Sequence, residues 1–305
     1  MMQNYENLVF SGGGVKGIAF YGVIKCLRDN NLLENFKRFA GSSAGAVAAI
    51  GLACKFSPEL IRQVLIETDF SNFKDDDYGV IRDSVRLINK YGWHKGDYIN
   101  KWMGDSLIKA GCSPDITFKE IYDKFGTELV ITGTCISTSE TVYYSRGVCC
   151  DKPVREALRI SMGIPLFFKA IQEDNKYYAD GALISNYPIW VFNEDGSLSR
   201  DKTSPVNPKT MGAKILNDHE HKNGRQHADH IHHEISNILE FVECTIECMQ
   251  AEISRLSMKK RHWYHTVGLE CGEMSSINFD LTDNDKTKLI DIGCGATTEF
   301  IINHI

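Results

Sequence analysis

Phe36-Lys37-Arg38-Phe39-Ala40-Gly41-Ser42-Ser43-Ala44-Gly45 decides the reading of this chain: an apolar stretch runs straight into a G-x-S-x-G turn and then into small residues. Residues 36–40 read as a buried strand, and 44–54 as a small-residue helix suited to close packing. Glycines at 41 and 45 let the backbone bend sharply, which holds the Ser43 hydroxyl out at the helix N-terminus. Upstream, Leu8-Val9-Phe10 is a short apolar run ending in the loop Gly12-Gly13-Gly14-Val15-Lys16-Gly17. Residues 18–30 then carry Phe20, Val23, Ile24 and Leu27 at helical spacing. Strand, helix, strand, helix is the opening of a three-layer α/β/α sandwich with a mostly parallel central sheet.

Downstream, Ser57-Pro58 is a helix start, serine as N-cap and proline at the first helical position. Residues 58–125 are expected to be mostly helical, with polar loops around Asp75-Asp76-Asp77 and Gly111-Cys112-Ser113-Pro114. Strands are expected over 129–134 and 141–144, and a short helix over 153–162 closed by Gly163 and Pro165. Lys176-Tyr177-Tyr178-Ala179 is a further strand, delivering Asp180 to a turn at Gly181-Ala182. Residues 193–230 are polar and loop-like. Beyond them Ile231, Ile235, Ile238, Leu239, Val242, Ile246, Met249, Ile253 and Leu256 step by threes and fours, the pattern of a long amphipathic helix. Glu234, Glu240, Glu243, Glu247 and Glu252 mark its polar face, so its apolar face is expected to pack on the domain. Residues 1–305 are read as a single domain, with the polar loop and this helix at about 193–256.

The 305 residues suffice for a large core. Hydrophobic content of 43% and charged content of 24% are those of a soluble globular protein. A formal net charge of -6 argues against a nucleic-acid substrate, because binding phosphates needs clustered positive charge. No run approaches the ~18 apolar residues of a membrane span. Met1-Met2-Gln3-Asn4-Tyr5-Glu6 lacks the basic and apolar segments of a Sec-type signal peptide. The ten cysteines are scattered without a C-x-x-C and read as reduced thiols of a cytosolic protein. His219, His221, His227, His230, His232 and His233 form a histidine-rich loop over 219–233. No cysteine or carboxylate spacing completes a metal site there, so a solvated loop is expected.

A serine hydroxyl attacks an acyl carbon only when a base takes its proton and donors stabilise the oxyanion. Ser43 sits where a nucleophile is presented, and consecutive glycines at 12–14 expose backbone N–H groups ahead of a helix. Gly13 and Gly14 are the leading donors; Lys16 braces the loop or adds positive potential. Asp180, at a strand end, is the candidate base if burial moves its pKa toward the working range. Two other readings of these motifs stand beside this one. Gly12–Gly17 also fits G-x-G-x-x-G, but the acidic residue that a dinucleotide site wants, Glu34, precedes the second strand. A Ser-Asp-His triad through His262 or His265 has the α/β-hydrolase order, yet that fold places more strands ahead of its serine. Both histidines lie by Lys259-Lys260-Arg261, Trp263 and Tyr264, which read as a surface turn or an interfacial patch.

The loop at 12–17, Gly41-Ser42-Ser43-Ala44-Gly45 and Asp180-Gly181-Ala182, in this order and at these separations, resemble the patatin-like phospholipases. Arg159-Ile160-Ser161-Met162-Gly163-Ile164-Pro165-Leu166-Phe167-Phe168 looks like the family's segment before its aspartate, and Ile277-Asn278-Phe279-Asp280-Leu281 with the last helix looks like its C-terminal end. The resemblance implies Ser43 as nucleophile, Asp180 as base and the 12–17 loop as oxyanion hole. It implies a phospholipase A type lipid acyl hydrolase working through an acyl-enzyme with no metal or cofactor. It also implies a cytoplasmic protein peripheral to a phospholipid membrane surface. Relatives that need a host protein or a nucleotide extend this to a protein or nucleotide activator as partner. The alternatives are an esterase or thioesterase on soluble acyl compounds, and a catalytically silent lipid-binding module.

Overall fold

Alternation along the first strand sets the layers. In β1 (Asn7–Phe10) Leu8 and Phe10 enter the larger apolar cluster, while Val9 enters a second one. In β2 (Arg38–Gly41) Phe39 and Ala40 divide the same way. A strand whose odd and even side chains are both buried lies in a sheet covered on both faces. The computed structural model describes residues 5–74, 87, 90–217, 220, 235–236, 238–272 and 274–305.

The remaining strands are β3 (Gly92–His94), β4 (Glu128–Cys135), β5 (Glu140–Ser145), β6 (Leu166–Phe168), β7 (Ile171–Glu173), β8 (Lys176–Asp180), β9 (Thr210–Ile215) and β10 (Thr266–Leu269). The main sheet runs β10-β9-β1-β2-β4-β8-β7, with β5 also on β4. From β10 to β4 the neighbours are parallel; β5, β7 and β8 pair antiparallel. Strands β3 and β6 form a small separate parallel pair. Helices Ala19–Asp29, Ala44–Ala53, Val154–Ser161 and Asp283–His304 contribute to the larger cluster on one face. The first and last of these touch backbone to backbone: a Cβ on Gly22 would lie 2.1 Å from Ile290 O, and one on Gly293 2.0 Å from Ala19 O. On the other face Tyr187, Ile189, Trp190, Val191 and Phe192 form an irregular cover with Met258.

Three expectations need correction. The 193–230 region contains β9, a fully buried strand between β1 and β10. Lys214 disguises it, yet sits in the core because it is ion-paired with buried Glu220. The amphipathic helix begins at Ile238 rather than Ile231, since Ile235 and Ser236 are outside it. His262 and His265 are buried, not surface residues: burial lowers the pKa of both, that of His262 to about 4. The six histidines of the 219–233 loop and the Asp75–Asp77 turn lie outside the described residues. All ten cysteines are free thiols. No described helix is long and apolar enough to cross a membrane.

Candidate functional site

Strand β4 brings the two halves of the site together. β5 occupies one edge of β4 across 130–135. The other edge is shared end to end by β2, which pairs as far as Gly41 opposite Ile131, and antiparallel β8, whose last residue, Asp180, lies opposite Gly133. Where β2 leaves the sheet to make its turn, β8 arrives from the opposite direction. Ser43 and Asp180, 137 positions apart in sequence, therefore meet at one strand junction.

Ser43 holds φ 50 and ψ -122, a conformation that costs a non-glycine residue about 1–3 kcal/mol. The flanking glycines are required by contact. A Cβ on Gly41 would lie 2.2 Å from Gly45 O, and one on Gly45 would lie 2.4 Å from Ser11 O. Helix Ala44–Ala53 thus starts against the end of β1 and points its N-terminus at the serine. The Ser43 N–H donates to Ser161 Oγ at 2.9 Å, fixing the turn from the neighbouring helix.

Asp180 is buried; its carboxylate accepts a hydrogen bond from the Ala182 N–H at 2.8 Å and lies close enough to the Ser43 hydroxyl for that group to favour its ionised form. Desolvation raises its pKa from 3.8 to about 7, against the lowering effect of the Ala182 N–H and the Ser43 hydroxyl. Gly181 permits the contact, because a Cβ there would lie 2.4 Å from Thr132 Oγ1. A serine beside a carboxylate that is half ionised near neutrality is the arrangement that general-base activation needs.

Across the serine lies the glycine loop. The Gly12 N–H donates to Asn186, Val15 N–H to Ser276 O at 2.9 Å, and Lys16 N–H to Gly13 O at 3.1 Å. No described residue accepts from the N–H of Gly13 or Gly14, and both glycines line a cavity with Ser43 and Asp180. Gly14 has φ 53, and a Cβ there would lie 1.9 Å from Ser276 O. Lys16 is buried and lines neither of the cavities onto which Ser43 opens.

Ser43 opens onto two cavities. One, about 570 Å³, is apolar, walled by Val47, Leu65, Phe73, Trp102, Phe168 and Phe279 among others. Its wall includes a π-helical turn, Gln63–Glu67, of the kind that recurs at functional sites. The other, about 510 Å³, lies beside Asp180 and is bordered by Glu243, Ile246, Glu247 and Gln250 of helix Ile238–Ser257. Neither His262 nor His265 lines either cavity. The described residues hold no cluster of three metal-ligating side chains.

Helix Ile238–Ser257 departs in part from the expected orientation: Ile246 and Ile253 face inward and Glu252 outward as expected, but Glu243 and Glu247 are inward too, while Ile238, Phe241, Met249 and Leu256 are exposed. Glu243 turns inward and accepts from Ser275 Oγ at 2.7 Å and Ser276 N–H at 2.6 Å. Glu247 accepts from Ser276 Oγ at 3.4 Å, and Gln250 accepts from Asn186 at 3.3 Å. Ser161, Asn186, Ser276 and Glu243 were not legible as site residues. Only the small-residue segment before Asp180 gave a signal for Ser161.

A family model described as patatin-like phospholipase matches residues 8–193, more than half of the chain. The uncharacterised protein YqhO of Bacillus subtilis is 28% identical over 97% of this chain and 98% of its own length. A probable lipid hydrolase of Invertebrate iridescent virus 6 is 26% identical over 61% of this chain and 62% of its own. Among solved structures, VipD from Legionella pneumophila superposes with a TM-score of 0.62 at 16% identity, covering 99% of this chain and 67% of that one. The type III effector ExoU, from Pseudomonas aeruginosa, superposes at 0.51 and 16%, covering 99% and 53%. These two likenesses carry the fold, a mostly parallel sheet within an α/β/α sandwich. On the family match over residues 8–193, with the fold to go with it, the chain belongs to the patatin-like phospholipases.

Proposed function

We propose that this chain is a lipid acyl hydrolase of phospholipase A type that cleaves fatty-acyl esters of phospholipids through a Ser43–Asp180 dyad. The observation that carries the reading is the convergence of Ser43, Gly13, Gly14 and the buried Asp180 carboxyl on one cavity, with burial raising the Asp180 pKa to about 7. With the substrate carbonyl over Ser43, Asp180 takes the hydroxyl proton as Oγ bonds to the acyl carbon. The N–H groups of Gly13 and Gly14 receive the oxyanion, aided by the N-terminus of helix Ala44–Ala53. Asp180 returns the proton to the departing alcohol, leaving an acyl-enzyme. It then takes a proton from water, which attacks the acyl carbon, and the fatty acid leaves as Ser43 recovers its proton.

The two cavities support a long-chain substrate: the apolar one takes the acyl chain, and the cleft by Asp180 takes the glycerol and headgroup side. A cavity of about 570 Å³ lined almost wholly by apolar side chains gives less to a short soluble ester. The test is fatty-acid release from mixed phospholipid vesicles by wild type, Ser43→Ala and Asp180→Asn, with and without cell lysate. Serine-dependent release supports the reading, and release that needs lysate adds an activator. Release undiminished in Asp180→Asn refutes the dyad, while vesicle binding with no release under any condition points to a silent lipid-binding module.

A further inference from the structure

Helix Ile238–Ser257 turns Glu243, Glu247, Gln250 and Ser254 inward beside Ile246 and Ile253, and leaves four other large apolar side chains outward. Its inner side is satisfied by hydrogen bonds: Glu243 and Glu247 to the Ser275–Ser276 turn, Gln250 to Asn186, and Ser254 to Glu220. Its outer side exposes Ile238 (55%), Phe241 (55%), Met249 (45%) and Leu256 (59%), at i, i+3, i+11 and i+18, which is one stripe along a helix. A surface helix ordinarily turns the other way, because exposing such side chains to water forfeits the free energy of burying them.

We propose that this outer face is a docking surface for a phospholipid bilayer, with the helix lying in the interface directly beside the catalytic cleft. The occupant follows from three features. The inner side of the same helix borders the cavity of Ser43 and Asp180, so a bilayer on the outer side stands next to the cleft that takes its lipids. Immediately after the stripe come Lys259, Lys260 and Arg261, all exposed. Cations that follow the apolar stripe directly, Lys259 reaching back to the Leu256 carbonyl at 2.9 Å, match the phosphate layer, which a second protein copy does not present. The stripe is long and narrow, with Glu252 and Arg255 among its apolar members. That suits shallow insertion better than a packed protein core.

The helix also has a mechanical path to the site. Gln250 holds Asn186, which accepts from Gly12 N–H, and Glu243 holds the Ser276 backbone, whose carbonyl accepts from Val15 N–H. Both ends of the glycine loop are therefore tied to residues that the inner face grips.

The proposal rests on the lipid-hydrolase reading for its purpose but is measured without turnover. The Ser43→Ala protein, with and without the added pair Phe241→Gln and Met249→Gln, is floated with vesicles of phosphatidylcholine containing a minority of phosphatidylglycerol. Each exposed side chain that enters the bilayer is worth roughly tenfold in partitioning, so the pair is expected to lower it by about a hundredfold. In the protein with Ser43 intact, the same pair is expected to abolish hydrolysis of vesicle lipid and to keep that of a monomeric short-chain ester. Flotation that the pair leaves unchanged, or no flotation of the parent, overturns the docking surface. So does a concentration-dependent dimer that the pair turns into a monomer while flotation persists, since the stripe then belongs to a second copy. Normal flotation with no turnover on any ester refutes the hydrolase reading and leaves the surface standing.

Discussion

Asp180→Asn is expected to stabilise the protein while it destroys the activity, and the stabilisation should depend on pH. The wild-type carboxyl is buried, and desolvation raises its pKa from 3.8 to about 7. That is roughly three decades of proton affinity at ~1.4 kcal/mol each, so ionising Asp180 in the folded state costs about 4 kcal/mol. The folded pKa lies above the unfolded one, so the native state holds its proton more tightly. The stability this provides is complete below about pH 4 and is lost progressively as the pH climbs to about 7. Asparagine has no charge to desolvate and still accepts from the Ala182 N–H, so its stability is flat over that range. Urea unfolding of both proteins from pH 5 to pH 9 should show the variant ahead by ~2–4 kcal/mol at the alkaline end, with the gap closing toward pH 5. Turnover should fall at least about a thousandfold throughout. A stability difference independent of pH, or a variant less stable at pH 9, would refute the reasoning that burial dominates this carboxyl.

Wild-type kcat should rise with pH through about 7, because only ionised Asp180 accepts the serine proton; a profile flat from pH 5 to pH 9 contradicts that role. Ser43→Gly should unfold at higher urea than Ser43→Ala, by ~1 kcal/mol, since glycine takes φ 50 without strain; equal midpoints would remove the case for a strained turn. Gly45→Ala should cost about 2–3 kcal/mol in thermal or urea unfolding, because its methyl group meets the backbone oxygens of Phe10 and Ser11. Ser161→Ala strands the buried Ser43 N–H, so a loss of ~1–3 kcal/mol is expected, with kcat falling more than KM rises. An unaltered kcat would show that this hydrogen bond does not position the serine.

The half of the molecule that carries the candidate site was legible because its signals are local. A strand ending in glycine, a serine, a second glycine and a small-residue helix can be read over ten residues, and the close contacts of Gly41 and Gly45 explain why nothing larger fits there. What lay beyond reach depended on partners distant in sequence. Strand β9 looked polar because Lys214 finds its counter-ion in Glu220 only after folding. Gly212 reads as a loop residue, yet in the core a Cβ there would lie 1.8 Å from the Tyr187 hydroxyl. His262 sits within a basic run whose neighbours are exposed, while its own ring packs on Trp190. The helix after residue 237 shows the limit of periodicity most clearly. Its spacing located an amphipathic face, but which face turns inward was set by Ser275, Ser276 and Asn186. Pattern gives the stripe; only the surroundings give its direction.

Mass spectrometry of the Ser43 peptide, after rapid acid quench of enzyme mixed with vesicles of one defined phospholipid, tests the central claim most directly. The account predicts a peptide heavier by one acyl group, present in wild type and absent from Asp180→Asn. Fatty-acid release with no adduct on Ser43, persisting in Ser43→Ala, would contradict it.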